Sequence, residues 1–234
     1  MRILFATGEA NPYIKSGGLA DVLGSLPKAL VQKGHECIVV LPKYQDMKLA
    51  DTIEYVTSFD IWVGWRKCYC GIFKAEYDGV TYYFIDNEQY FRRPGLYGYD
   101  DDNERFAYFD FAVLELISHI DVKPDILSLH DWQTAMIATL YKERYAYYEY
   151  YQGIKVTFTI HNIAYQGKCD PALLSDHFGL DNYLYYNGNC RNDGCFNMMK
   201  AAIYYSDAIT TVSPTYAEEI LTDQYGEGLQ SILQ

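Results

Sequence analysis

Lys15-Ser16-Gly17-Gly18-Leu19-Ala20-Asp21 is the stretch whose reading decides the fold. Before it runs Arg2-Ile3-Leu4-Phe5-Ala6-Thr7, a short apolar strand that reaches the polar Gly8-Glu9. After it, Leu19 to Gly34 carries apolar residues at helical spacing. The stretch is therefore a strand-to-helix turn with its glycines at a helix N-terminus. Backbone N–H groups there lack intrahelical partners, and the helix dipole adds partial positive charge. Such a place suits a phosphate. Gly17 and Gly18 allow close approach to the backbone, Lys15 can add a full charge, and Asp21 falls in the first helical turn.

A purely structural reading has equal standing on spacing alone: Ser16 as the cap, Asp21 as the dipole's partner, Lys15 in water. The stretch is neither G-x-G-x-x-G nor G-x-x-x-x-G-K-[ST], which weighs against a dinucleotide fold or a P-loop.

Working outward, Glu36-Cys37-Ile38-Val39-Val40-Leu41 is a second strand, and Gly34 stands at the C′ position of the helix between. Strand, helix, strand makes a βαβ unit, so the sheet starts parallel. From Ile53 to Asp86 two or three antiparallel strands interrupt this pattern. Cys68–Tyr77 and Val80–Ile85 are joined by the hairpin signal Asp78-Gly79. Asn87 to Asp102 reads as a long polar and aromatic loop, and Asp100-Asp101-Asp102 as the solvated start of a helix over 103–120. Strands follow at 125–130, 154–160 and 208–212, with a helix from Trp132 to Tyr151. Ser213 and Pro214 open a helix over 215–221. The expected class is α/β, a mostly parallel sheet flanked by helices with an antiparallel β excursion.

Several of these strands end in polar groups: Gly8-Glu9, His130-Asp131, His161-Asn162 and Ser213. Ligands bind outside the carboxyl ends of open parallel sheets. One histidine at a strand end is usually structural. Two, each followed by Asp or Asn, favour a site.

Composition narrows the partners. A net charge of −12 over 234 residues disfavours nucleic acid. No apolar run is long enough for a membrane span, and the N-terminus enters a strand without a signal-peptide pattern, so a cytoplasmic protein is expected. The six cysteines then read as free thiols. Cys190-x4-Cys195 does not fit common zinc spacings, so no metal is expected, and no other cofactor. The 25 tyrosines decide nothing alone.

Residues 15–22, Lys-Ser-Gly-Gly-Leu-Ala-Asp-Val, resemble the K-x-G-G-L motif of bacterial glycogen synthases and plant starch synthases. His130-Asp131-Trp132 is similar to that family's H-D-W motif, and Thr159–Gly167 to its T-x-H-N-x-A-Y-Q-G segment. Arg93–Tyr97, Asn197–Asp207 and Thr211–Ala217 resemble further family segments in the same order. The resemblance implies a retaining glycosyltransferase that moves glucose from ADP-glucose to the non-reducing end of an α-1,4-glucan. It implies that residues 1–234 form the N-terminal, acceptor-side Rossmann-like half of a two-domain GT-B enzyme, without the C-terminal nucleotide-binding domain. By the same resemblance Lys15, Gly17, Gly18 and Asp21 serve the donor, and His161 and Asp131 are catalytic. Glu9, Tyr97, His130 and Asn162 are acceptor-side candidates. This half alone is expected to be inactive.

Two other functions compete. A nicotinamide-dependent oxidoreductase is weakened by the absent G-x-G-x-x-G and by Leu41-Pro42-Lys43, where an acid would close the second strand. A non-catalytic glucan-binding module is favoured by the tyrosines. Donor, NAD and maltooligosaccharide titrations separate the three.

Overall fold

The computed structural model describes residues 1–234. The chain begins with β1 (Arg2–Ala6), α1 (Gly18–Gln32) and β2 (Glu36–Pro42). The excursion is β3 (Glu54–Val63), β4 (Arg66–Tyr77) and β5 (Val80–Asp86). Then come α2 (Glu88–Phe91), α3 (Asp102–His119), β6 (Ile126–His130), α4 (Ala135–Glu143) and β7 (Lys155–Ile160). The last third holds β8 (Lys168–Cys169), α5 (Leu173–Asp176), α6 (Tyr183–Tyr186), β9 (Arg191–Asn192), β10 (Cys195–Asn197) and α7 (Met198–Tyr205). It closes with β11 (Ala208–Thr211), α8 (Pro214–Glu219) and α9 (Gln230–Leu233).

The main sheet has eight strands in the order β11-β7-β6-β1-β2-β5-β4-β3. All neighbours from β11 to β5 run parallel, and β5-β4-β3 is antiparallel. The expected class is therefore the observed one. The excursion does not form a separate unit: its return strand β5 pairs with β2, so it lengthens the parallel sheet. Strands β1, β2 and β6 carry near-continuous buried residues, as strands covered on both faces must, whereas β7 alternates, with Val156, Phe158 and Ile160 buried.

Helix α3 departs from the one-faced pattern. It is buried almost all round, from Arg105 to Leu114, because α4, β3 and the 87–102 segment each cover part of it. Burying its Arg105 requires partners, which Nε and Nη1 find while Nη2 has none. Nε donates to Tyr90 O at 2.7 Å, and Nη1 donates to Leu96 O at 3.0 Å and to Asp102 Oδ1 at 2.6 Å. The 87–102 segment is thus hung on a buried cation.

Three expectations need correction. The 87–102 segment is not free of structure, since Asn87 caps the short helix α2. Asp101 and Asp102 are not merely solvated. Asp101 receives both Nη groups of Arg93 at 2.6 and 2.8 Å, and Asp102 accepts from Arg105 and from Gly98 N. Finally, no single helix runs from Trp132 to Tyr151. A 3-10 turn at Trp132–Thr134 precedes α4, and the tyrosine tail breaks into two further 3-10 turns. There the tyrosines act as separate anchors. Tyr145, Tyr150 and Tyr151 donate to Glu115, Asp121 and Leu114 O respectively, all on or beside α3. A continuing helix would turn them away from one another.

The small antiparallel sheet β8-β10-β9 had no sequence signal. No helix of the chain is long and apolar enough to cross a membrane.

Candidate active site

Strand order assembles the site. β7, β6 and β1 are neighbours, so the residues just past their carboxyl ends, His161, Asp131 and Glu9, stand side by side. With the start of α1 and part of the 87–102 segment they line a cavity of about 770 Å³. Of the residues singled out in sequence, Glu9, Gly17, Gly18, Tyr97, Asp131, His161 and Asn162 line it. Lys15 and Asp21 do not, and His130 lies buried behind its wall.

On the α1 side, the N-cap is Gly17, not Ser16, and no side chain caps through it. Instead the Glu9 carboxylate reaches across. Its Oε2 accepts from Ser16 N, and from Gly17 N at 3.4 Å. An anion therefore already sits at this helix N-terminus, and it belongs to the protein. The Lys15 ammonium is not free in water but pairs with Asp21 at 2.6 Å, and Asn11 Nδ2 donates to the same carboxylate at 2.7 Å.

Neither glycine is required by packing. A Cβ at Gly17 would meet only Glu9 Oε1 at 3.8 Å, and one at Gly18 would meet nothing within 4 Å. Gly17 is extended, at φ −150°, which any residue adopts. The space beside both is open to the cavity.

The opposite wall is built from strand-end side chains. Asp131 Oδ1 accepts from His161 N at 2.8 Å and from Asn162 N at 3.3 Å. It thus ties the end of β6 to the end of β7. To do so Asp131 takes φ 59°, ψ −178°, a region costly for any residue with a Cβ. Burial raises the Asp131 carboxyl to about 6, against the pull of those two amides. Behind it, His130 Nδ1 lies 2.9 Å from His161 Nε2. Burial lowers His130 well below the usual histidine range and His161 to about 4, so both rings are neutral at pH 7.

Tyr97 closes the third side, over the end of β1. It packs so tightly there that a Cβ at Gly8 would lie 2.6 Å from its hydroxyl. Burial keeps that hydroxyl protonated, and it has no partner in the protein. Gln133 Oε1 is likewise buried and unpaired. Trp132, Gln133, Tyr165, Asp102 and Val212 also line the cavity and were not singled out as site residues. The first three lie within or beside motif segments, which is the signal that held them. Val212 too lies within a motif segment, Thr211–Ala217, whereas Asp102 arrives only through the fold. The side chains bring together no cluster of three or more His, Cys, Asp or Glu that would hold a metal.

This arrangement offers backbone donors at a helix N-terminus, a nearby cation, neutral imidazoles and a half-buried carboxyl around one open cavity. Comparison with known proteins gives the family. The family model described as starch synthase catalytic domain matches residues 2–234. The chain is 52% identical over 237 residues to a glycogen synthase of Clostridium botulinum and 50% identical over 236 residues to one of Streptococcus agalactiae. It spans about half the length of these curated relatives, 50% in each case. Among solved structures it superposes, with a TM-score of 0.89 and 36% identity, on the catalytic domain of starch synthase IV from Arabidopsis thaliana bound to ADP and acarbose. That match covers 99% of this chain and 48% of the other. The chain belongs to the starch synthase catalytic domain family.

Proposed function

We propose that the chain is the acceptor-side half of a two-domain glycogen synthase, which transfers glucose with retention from ADP-glucose to the non-reducing end of an α-1,4-glucan. The observation that carries this reading is the cavity floor at Gly17 and Gly18, open where neither packing nor backbone conformation demands glycine. Room beside amides at a helix N-terminus is what a diphosphate uses. The ADP and acarbose bound to the Arabidopsis relative favour a nucleotide and a glucan in the corresponding cleft.

In this reading the α1 amides and Lys15 stabilise charge on the diphosphate as the anomeric bond breaks, a role for preorganised donors. The diphosphate must first displace the Glu9 carboxylate from Ser16 N and Gly17 N, and draw Lys15 from Asp21. His161 contacts the transferred glucose. Asp131, Asn162 and Tyr97 face the acceptor, and Trp132 and Tyr165 supply aromatic surface for its sugar rings. We place the reaction in the cytoplasm, where unpaired cysteines stay reduced.

The test is incorporation of labelled glucose into glycogen by residues 1–234, compared with a form carrying the second domain. The longer form is expected to be active, and the half alone to give no measurable synthesis, because nothing closes its cavity against water. In the longer form His161→Ala should lower kcat more than it raises KM for ADP-glucose. Equal rates from the two forms would place the whole site in this chain and overturn the two-domain reading. Binding of maltooligosaccharide without turnover in either form would favour the glucan-binding module.

A further inference from the structure

His130 lines no part of the cavity, yet it sits in a chain of ring and hydroxyl contacts that ends there. Ser128 Oγ lies 3.1 Å from His130 Nε2, and His130 Nδ1 lies 2.9 Å from His161 Nε2. Ser128 and His130 are buried, at 8% and 1% exposure, so water cannot replace these contacts. The backbone fixes the His130 ring further, since His130 N donates to Thr134 Oγ1 at 2.7 Å and the ring packs 6.0 Å from Phe5. His161 is fixed through its own N–H on Asp131. Its Nδ1 has no protein partner, and the residue lines the cavity.

Two neutral imidazoles sharing one hydrogen bond have coupled tautomers: one nitrogen must donate and the other accept. The Ser128 hydroxyl breaks the symmetry. Its only hydrogen-bonding neighbour is His130 Nε2. If Nε2 carried the proton, the buried serine O–H would be left with no acceptor. If the serine donates, every buried proton in the chain is satisfied and only an oxygen lone pair goes unused. An unmade donor bond is the costlier of the two.

We propose that Ser128 and His130 are positioning residues that set the tautomer of His161. The Ser128 hydroxyl donates to His130 Nε2, His130 Nδ1–H donates to His161 Nε2, and His161 presents Nδ1–H to the cavity. The site then holds a fixed hydrogen-bond donor aimed at an oxygen lone pair, and it does so without a carboxylate behind the histidine. A donor of this kind selects a hydroxyl oxygen of the transferred hexose. That choice of recipient rests on the glucosyl-transfer reading; the proton positions do not.

The direct experiment is long-range proton–nitrogen correlation NMR at pH 7 on the 15N-labelled chain of residues 1–234, with the five histidines assigned by substitution. His130 and His161 are both expected as the Nδ1–H tautomer. An Nε2–H His161, or an averaged mixture, overturns the proposal. Ser128→Ala should move His161 towards such a mixture, and Ser128→Thr, which keeps a hydroxyl, should restore the single form. An unchanged His161 in a folded Ser128→Ala chain removes Ser128 from the relay and also overturns it; should Ser128→Ala fail to fold, the spectrum of the unmodified chain decides. In the two-domain protein Ser128→Ala should lower kcat about fivefold with KM for ADP-glucose unchanged, the size of one ordinary hydrogen bond. Absence of glucosyl transfer by the unmodified two-domain protein would remove the hexose as recipient and leave the NMR result standing on its own.

Discussion

The two long walls of the cavity are made differently. The α1 wall offers backbone amides, and the ion pair beside it is half-exposed: Lys15 and Asp21, which do not line the cavity, keep 47% and 54% of their side-chain surface in water. Its anion slot is filled by Glu9 from a neighbouring turn. The strand-end wall is made of buried or partly buried side chains that hold one another. Asp131 holds β7's end, and Ser128, His130 and His161 hold each other. The α1 wall is adjustable and can trade an internal anion for an external one. The strand-end wall is set when the chain folds. Substitutions in the first should therefore cost function with little stability, and those in the second should cost both.

Asp131→Ala puts this division under the heaviest load. It removes the acceptor for His161 N and Asn162 N, and should destabilise the chain by about 2–3 kcal/mol in urea titration, the worth of bonds to a charged group. Asp131→Asn keeps a carbonyl oxygen in the same place and should lose less than half of that. Equal stability of the Ala variant and the unmodified chain would show that the strand ends are not tied by this carboxylate.

Acid should act next in size, through the histidines. Folded His161 stays neutral down to about 4, whereas an unfolded histidine takes its proton near 6.5. The unfolded chain thus binds more protons in between. This contribution to stability is complete above pH 6.5 and is lost as the pH falls towards 4. Asp131, raised to about 6, works in the opposite direction between pH 6 and 4, so the difference between two chains is the readout: over that window the melting temperature of residues 1–234 should lose ground to that of His161→Gln. Parallel curves for the two would deny the ring its neutral state.

The smallest effects on folding belong to the α1 wall. Lys15→Ala should change stability by no more than about 0.5 kcal/mol, since an exposed ion pair contributes little. In the two-domain protein it should nonetheless weaken use of ADP-glucose by about 10- to 100-fold, as loss of a charged hydrogen bond does. Gly18→Ala sharpens the contrast further. In the first turn of α1 an alanine should leave the melting temperature unchanged or slightly raised, because it meets no atom and favours helix. Any loss of donor binding would then come from the cavity side alone. Intact donor kinetics in both variants would free this wall of the diphosphate.

The strand-end wall was largely legible in sequence, because a βα pattern places strand termini on one edge whatever else happens. His161 and Asp131 were found that way. What stayed hidden depends on angles and distance rather than pattern. His130 read as a site residue by position, but its side chain is buried against Phe5, Ser128 and His161. Glu9 read as an acceptor contact, yet it bends back on Ser16 and Gly17, a closure across a short irregular turn that no periodicity encodes. The pairing of β5 with β2 was likewise out of reach, since strand neighbours distant in sequence are fixed by packing of both faces. Strands β8, β9 and β10, two or three residues each, are too short to show any alternation.

Arg105 carries a consequence for ligand affinity. Because it pins Tyr90, Leu96 and Asp102 from beneath, the segment holding Tyr97 is ordered before any ligand arrives. The conformational entropy of that segment is lost during folding and is not charged again to each binding event. Tyr97 therefore meets any ligand as a rigid surface. Such a wall does not fold over its ligand, so exclusion of water must come from whatever faces it across the cavity.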